Sequence, residues 1–212
     1  MKTLALIVRR PDHTRAAFRE HYEDIHAPLA METIMEGTVR YVRHHIAQEM
    51  YGSPAFDVVS AFWYRDAATA GELIGRLETE DGARVIADEH TFMDRERNTF
   101  FAVTERVVTG AEDRSAGLLL AALVKAPAGA EATDYVDAYE ARSLPALLDA
   151  TKAPAWCLQN RAMGPDPAFD LVSQVHAEAD AGLADWAASL EAEGAQVVVV
   201  AVTEHETETP WS

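Results

Sequence analysis

Residues 54–60 read Pro-Ala-Phe-Asp-Val-Val-Ser, and residues 167–173 read Pro-Ala-Phe-Asp-Leu-Val-Ser. Six of the seven positions are identical. A second echo follows in the same order: Ala102-Val103-Thr104-Glu105 returns as Ala201-Val202-Thr203-Glu204. The two echoes lie closer together in the second half than in the first. One short match arises easily by chance; two in the same order point to an internal duplication.

The rest of each half fits this frame. Residues 3–10 are rich in Leu, Ile and Val and read as a strand. Thr14 caps a helix through Phe18, Tyr22 and Ile25, which Pro28 is expected to stop. Strands are expected at 38–48, 56–64 and 99–108, with a second helix over 66–77. The second half repeats the plan, with strands at 117–125, 155–163, 169–177 and 195–204 and helices at 132–149 and 180–193. Each half is then β-α-β-β-α-β, the split βαβ pattern. A four-stranded sheet with helices on one face must cover the other. The fold class expected is α+β: two ferredoxin-like βαββαβ repeats, residues 1–109 and 117–206, forming a dimeric α/β barrel within one chain. Two antiparallel sheets of order 4-1-3-2 would face each other, linked by residues 110–116, around an interior suited to a small molecule.

Composition narrows the function. The 212 residues are 49% hydrophobic and carry a net charge of −17. Such a surface repels phosphate backbones, so nucleic acid is not an expected partner. The apolar run Leu4 to Val8 is too short for a signal peptide or a membrane span, so no membrane partner and a cytoplasmic location are expected. The one cysteine, Cys157, sits among Ala155, Trp156 and Leu158 and reads as a buried, inert thiol. Phosphate-binding loops, HExxH and Gly-x-Ser-x-Gly are absent from the sequence.

Arg9-Arg10-Pro11, Phe18, Tyr22, His26-Ala27-Pro28, Tyr41, Phe56-Asp57, Asp88-Glu89, Phe92 and Asp94 occur in that order over residues 3–108. This set resembles EthD-type proteins of the dimeric α/β barrel superfamily. The second half resembles them in outline only, keeping Phe169-Asp170 but having Ser143 near the place of His26. The resemblance implies small-molecule chemistry of dehydratase, isomerase or decarboxylase type, and related barrels bind haem. It argues for the fold more than for a reaction.

Features present in both halves read as structural and those in one half as functional. Asp57 and Asp170 are shared, and both suit a turn at the entry to a strand. His26 is the leading catalytic candidate, as general acid–base; the competing reading is a histidine satisfying carbonyls at a helix end. Alternation puts Tyr41, Arg43 and His45 on one face of their strand and His44 on the other. Tyr41 is assigned to catalysis and His45 to substrate binding, on the expectation that this face lines the cavity. Asp88 is a third catalytic candidate, beside Glu89 and His90, which read as solvated. Phe92 joins the substrate-binding set. Trp63 and His176 correspond through the repeat, are expected to meet across the cavity and complete the substrate-binding set; His176 is also a candidate haem ligand or acid–base group, against the reading of a solvated histidine at a strand end.

The function expected is cofactor-free proton transfer, isomerisation or dehydration on a cyclic aromatic or polyketide-like substrate, by an isomerase- or lyase-like enzyme. The alternatives are a haem-binding barrel and a non-catalytic accessory or binding protein of a degradation pathway. A small-molecule substrate is the expected partner, no metal is assigned, and a homodimer is compatible with this reading.

Overall fold

The computed structural model describes residues 1–110, 118–152, 156–178 and 180–209. The first half runs β1 (Lys2–Ile7), α1 (Arg15–His21), a π-helical turn (Tyr22–His26), α2 (Ala27–Thr33), β2 (Thr38–Tyr51), β3 (Val58–Tyr64), α3 (Ala67–Arg76), α4 (Glu80–Phe92), a 3₁₀ turn (Arg95–Arg97) and β4 (Thr99–Thr109). The second runs β5 (Leu118–Lys125), α5 (Ala132–Ala138), another π-helical turn (Tyr139–Ser143), α6 (Leu144–Ala150), β6 (Trp156–Ala162), β7 (Leu171–Ala177), α7 (Leu183–Ala192) and β8 (Gln196–Thr207).

Hydrogen bonding orders the strands β1-β3-β2-β8-β5-β7-β6-β4, a closed antiparallel barrel. Within it each half keeps the expected 4-1-3-2 order. The expectation of two separate facing sheets is corrected. β4 pairs directly with β6, from Val103 opposite Ala162 to Thr109 opposite Cys157. At the end of β8, Glu204 and Glu206 bond His44 and Arg40 of β2. An open sheet leaves a row of unpaired N–H and C=O groups on each edge, and closure removes both rows. The expected link over 110–116 lies, Gly110 apart, outside the described residues.

Two compact units divide the chain differently from its halves. One comprises Met1–His45, Ala55–Ala102 and Glu204–Ser212; the other comprises Ile46–Pro54 and Val103–Thr203. In the first, Ala5, Ile7, Tyr41 and Val58 from the strands pack with Phe18, Tyr22, Ala30, Val85 and Phe92 from the helices. In the second, Leu120, Leu171 and Val199 pack with Tyr139, Leu147, Trp186 and Leu190. Burial of such side chains stabilises each unit by about 1.5–3 kcal/mol per large residue.

Two further differences from the sequence reading bear on the site. Residues 79–92 carry a helix that apolar periodicity hides. Thr79 caps α4 by accepting from Gly82 N–H at 3.2 Å, and Glu80 and Asp81 fill its first turn. Gly82 is required because a Cβ there would strike Arg76 O and the Leu77 backbone. Pro28 also does not end the first helix, which resumes as α2.

Candidate functional site

A proline inside a helix lacks an N–H, and its ring crowds the carbonyl four residues back. The chain accommodates Pro28 by widening one turn. Ala27 N–H bonds Tyr22 O, five residues back, rather than Glu23 O. The second half does the same ahead of Pro145, where Leu144 N–H bonds Tyr139 O. His26 therefore sits in mid-helix, not at the helix end that the competing reading requires.

The wide turn sets the geometry around His26. In an α-helix, residues five apart point about 140° away from each other. Here His21 and His26 reach the same carboxylate. His21 Nε2 lies 2.8 Å from Asp88 Oδ1, and His26 Nδ1 lies 2.9 Å from Asp88 Oδ2. Burial works to raise the Asp88 carboxyl, but hydrogen bonds from His26 and then His21 outweigh it and hold it below its ordinary value. An ionised Asp88 only accepts, so both rings donate to it, and in its neutral form His26 has its lone pair on Nε2. Phe92, on α4 with Asp88, packs its ring against both imidazoles, with centroids 4.3 Å from His21 and 5.2 Å from His26. The His26 side chain is only 6% exposed.

Tyr22 stands between this group and a second one. Its ring meets His26 at 5.1 Å and His45 at 5.5 Å. Tyr41 OH donates to Tyr22 OH at 2.9 Å, and Tyr22 OH lies 3.0 Å from Ser60 Oγ. Ser60 is the last residue of the repeated segment, and its counterpart Ser173 lies 3.4 Å from Tyr139 OH. Burial pushes both the Tyr22 and Tyr41 hydroxyls up, Tyr41 well above its ordinary value. Beyond Tyr22, Glu23 binds Arg43 Nε at 2.9 Å and His45 Nε2 at 2.6 Å, with His205 Nδ1 at 3.6 Å. Burial opposes ionisation of Glu23, yet His45 and Arg43 bring it down to about 2. Burial lowers His45 more than Glu23 raises it.

The assigned residues thus fall into distinct places. His26, Asp88 and Phe92 come together. Tyr41 and His45 lie on one strand face, as alternation requires, but that face packs under the helical layer, against Tyr22, Phe18 and Glu23. The expectation that it lines the barrel interior is corrected, because burying Tyr41 beneath Tyr22 satisfies both hydroxyls. Trp63 lies under two cations, Lys2 Nζ at 4.1 Å and Arg40 at 4.7 Å from its ring centroid. His176, in the other unit, meets the Trp156 ring edge-on at 5.7 Å. Asp57 accepts from Arg9 N–H at 3.0 Å and from Arg9 and Arg15 Nε, and Asp170 likewise accepts from Ala126 N–H at 2.7 Å. The repeated Asp closes the strand end in both halves. Glu89 is held by Arg95. Sequence reasoning missed His21, Glu23, Arg43 and His205; the signal for His21 was Pro28, which forces the wide turn. Among the described residues no cluster of three His, Cys, Asp or Glu side chains is arranged to hold a metal ion, and no helix is long and apolar enough to cross a membrane.

No curated protein matches the chain. Among solved structures it is similar to an anthrone oxidase-like protein, with 12% identity and a TM-score of 0.59, covering 99% of this chain and 93% of that one. A protein from Fusobacterium nucleatum subsp. nucleatum, described as a monooxygenase, is 6% identical with a TM-score of 0.56, covering 98% and 94%. Another so described, from Lactobacillus acidophilus NCFM, is 11% identical with a TM-score of 0.50, covering 98% and 95%. At these identities the likeness is one of fold. Residues 10–96 match the EthD domain model, a span that holds His21, His26, Tyr41, Asp88 and Phe92. Over residues 10–96 the chain is similar to EthD domains.

Proposed function

We propose that this protein is a small-molecule enzyme whose His26–Asp88 pair moves a proton on a cyclic, activated carbon acid. The observation that carries this is the 2.9 Å bond from His26 Nδ1 to a carboxylate that stays ionised in a nearly closed setting. Asp88 fixes the tautomer and steadies the imidazolium that forms when Nε2 takes the proton. Phe92 and Tyr22 wall the ring, and Tyr41 acts at one remove by holding the Tyr22 hydroxyl. The resulting enolate either regains the proton from the imidazolium at another carbon, an isomerisation, or expels a β-hydroxyl that takes the imidazolium's proton and leaves as water, a dehydration. An anthrone is a carbon acid of this kind, so the anthrone oxidase-like neighbour supports the substrate class. We also propose that residues 1–109 and 117–206 are tandem ferredoxin-like copies. The paired π-turns, Tyr22–Ser60 with Tyr139–Ser173, and Asp57 with Asp170 support this.

The test is deuterium uptake from D₂O into anthrone and cyclic 1,3-diketones, followed by NMR with the whole chain. His26→Ala should slow enzyme-dependent exchange ~10²–10⁴-fold. Full exchange by His26→Ala would remove the mechanism, and failure of the wild type to exchange any of these probes would remove the substrate class.

A further inference from the structure

His21 has no part in the proton transfer just described, yet it occupies half of the Asp88 carboxylate. Its Nε2 takes Oδ1 while His26 takes Oδ2. The second half isolates what is special here. It has the same π-turn, but the residue before Tyr139 is Ala138 and the turn ends in Ser143. The wide turn is therefore common to both halves, and the two histidines are added to it only in the first. His21 is also the more open of the two rings, its side chain 23% exposed against 6% for His26. It meets the solvent proton concentration more directly.

We propose, resting on the reading of His26 as the acid–base group, that His21 is a positioning residue. It holds the Asp88 carboxylate so that each oxygen serves one ring, and it ties the proton affinity of His26 to its own charge. A neutral His21 donates to Asp88 and draws charge from the oxygen pair that His26 shares. A protonated His21 does so more strongly and also repels an imidazolium at His26. Both effects act against an imidazolium at His26, so the charge of one ring bears on the other. Other groups among the described residues lie near the pair. Tyr22 contributes its ring, nearly at right angles to that of His26. Glu89, adjacent on α4, is paired with Arg95. Glu23, Arg43 and His45 lie beyond Tyr22 and bind one another. Two imidazoles on one carboxylate titrate as a coupled set.

The test is ¹⁵N NMR of the histidine rings in the full chain as pH is varied, for wild type, His21→Phe and His21→Gln. Phe keeps the stack on Phe92 and removes the donor; Gln keeps a donor that never becomes charged. In the wild type, neutral His26 should carry its proton on Nδ1 and titrate in two steps. In His21→Phe its midpoint should rise on the order of one unit, and in His21→Gln it should titrate in one step with the tautomer kept. The acid limb of the exchange-rate profile should follow the same shifts. Unchanged His26 titration in both variants would overturn the role of His21, whatever the activity. If His21→Phe does not fold, the Gln variant decides through the number of steps. Loss of the acid–base reading alone would show as full exchange by His26→Ala with the NMR shifts intact.

Discussion

Each π-turn carries a half-buried glutamate at the same place, with different partners. Glu23 binds Arg43, His45 and His205; Glu140 binds Arg161 and Arg106, with Asp137 also on Arg161. Through the strand registers, Arg161 stands where His45 does and Gln159 where Arg43 does. Both turns thus place a carboxylate under the helical layer and neutralise it from the strands. The first does so with an arginine and histidines, of which Arg43 and His45 are nearly inaccessible, and the second with arginines that reach solvent. The proposed site lies in the half where the neutralising groups are buried and partly titratable. The plainer turn has Ala138 and Ser143 where the first has His21 and His26.

The largest difference should appear on removing the glutamates. Glu23→Gln leaves Arg43 and His45 buried without their anion, which costs about 3–5 kcal/mol and lowers Tm by roughly 10 °C. Glu140→Gln releases two arginines to water and should cost about 1 kcal/mol. Denaturant unfolding of both variants checks this, and equal losses would break the comparison. Next come the tyrosines. Tyr22→Phe removes the acceptor for Tyr41 OH and a partner of Ser60, a loss of about 1–3 kcal/mol. Tyr139→Phe gives up one long bond, with Cys157 in place of Tyr41, and should cost about 0.5 kcal/mol.

The smallest effect is the most specific. His45 has its pKa lowered on folding, so its contribution is present above the unfolded value near 6.5 and is lost as pH falls below it. Glu23 is also lowered, and its contribution disappears as pH falls from the ordinary carboxylate range toward about 2. Arginines stay charged throughout. Between pH 7 and 5 the amides of residues 22–26 should therefore lose protection from hydrogen exchange relative to those of 139–143. The difference should shrink in His45→Gln.

The repeated Pro-Ala-Phe-Asp segment was readable because its Asp and Ser do the same local work twice. Strand positions followed from alternation, and the Thr14 cap is observed at 3.1 Å from Ala17 N–H. α4 was not readable because Gly82 and its charged residues mask the apolar positions Val85 and Phe92. Closure of the barrel was not readable because edge pairing leaves no mark on side-chain pattern. His26 and Asp88 stood out by resemblance, but their partnership depends on a helix missed and a proline misjudged. Glu23 was passed over because its cations come from strands far along the chain, and such pairing is invisible to local spacing.

Cys157 occupies the position corresponding to Tyr41, fully buried, with burial pushing its thiol up to about 12. It is the chain's one thiol and lies in the unit that holds Val103–Thr203. A maleimide dye can reach it only when that unit opens. The rate of labelling is then a clock for the breathing of one unit, read without any added probe site. Destabilising Glu23 should leave that clock unchanged if the two units open independently and quicken it if they open as one.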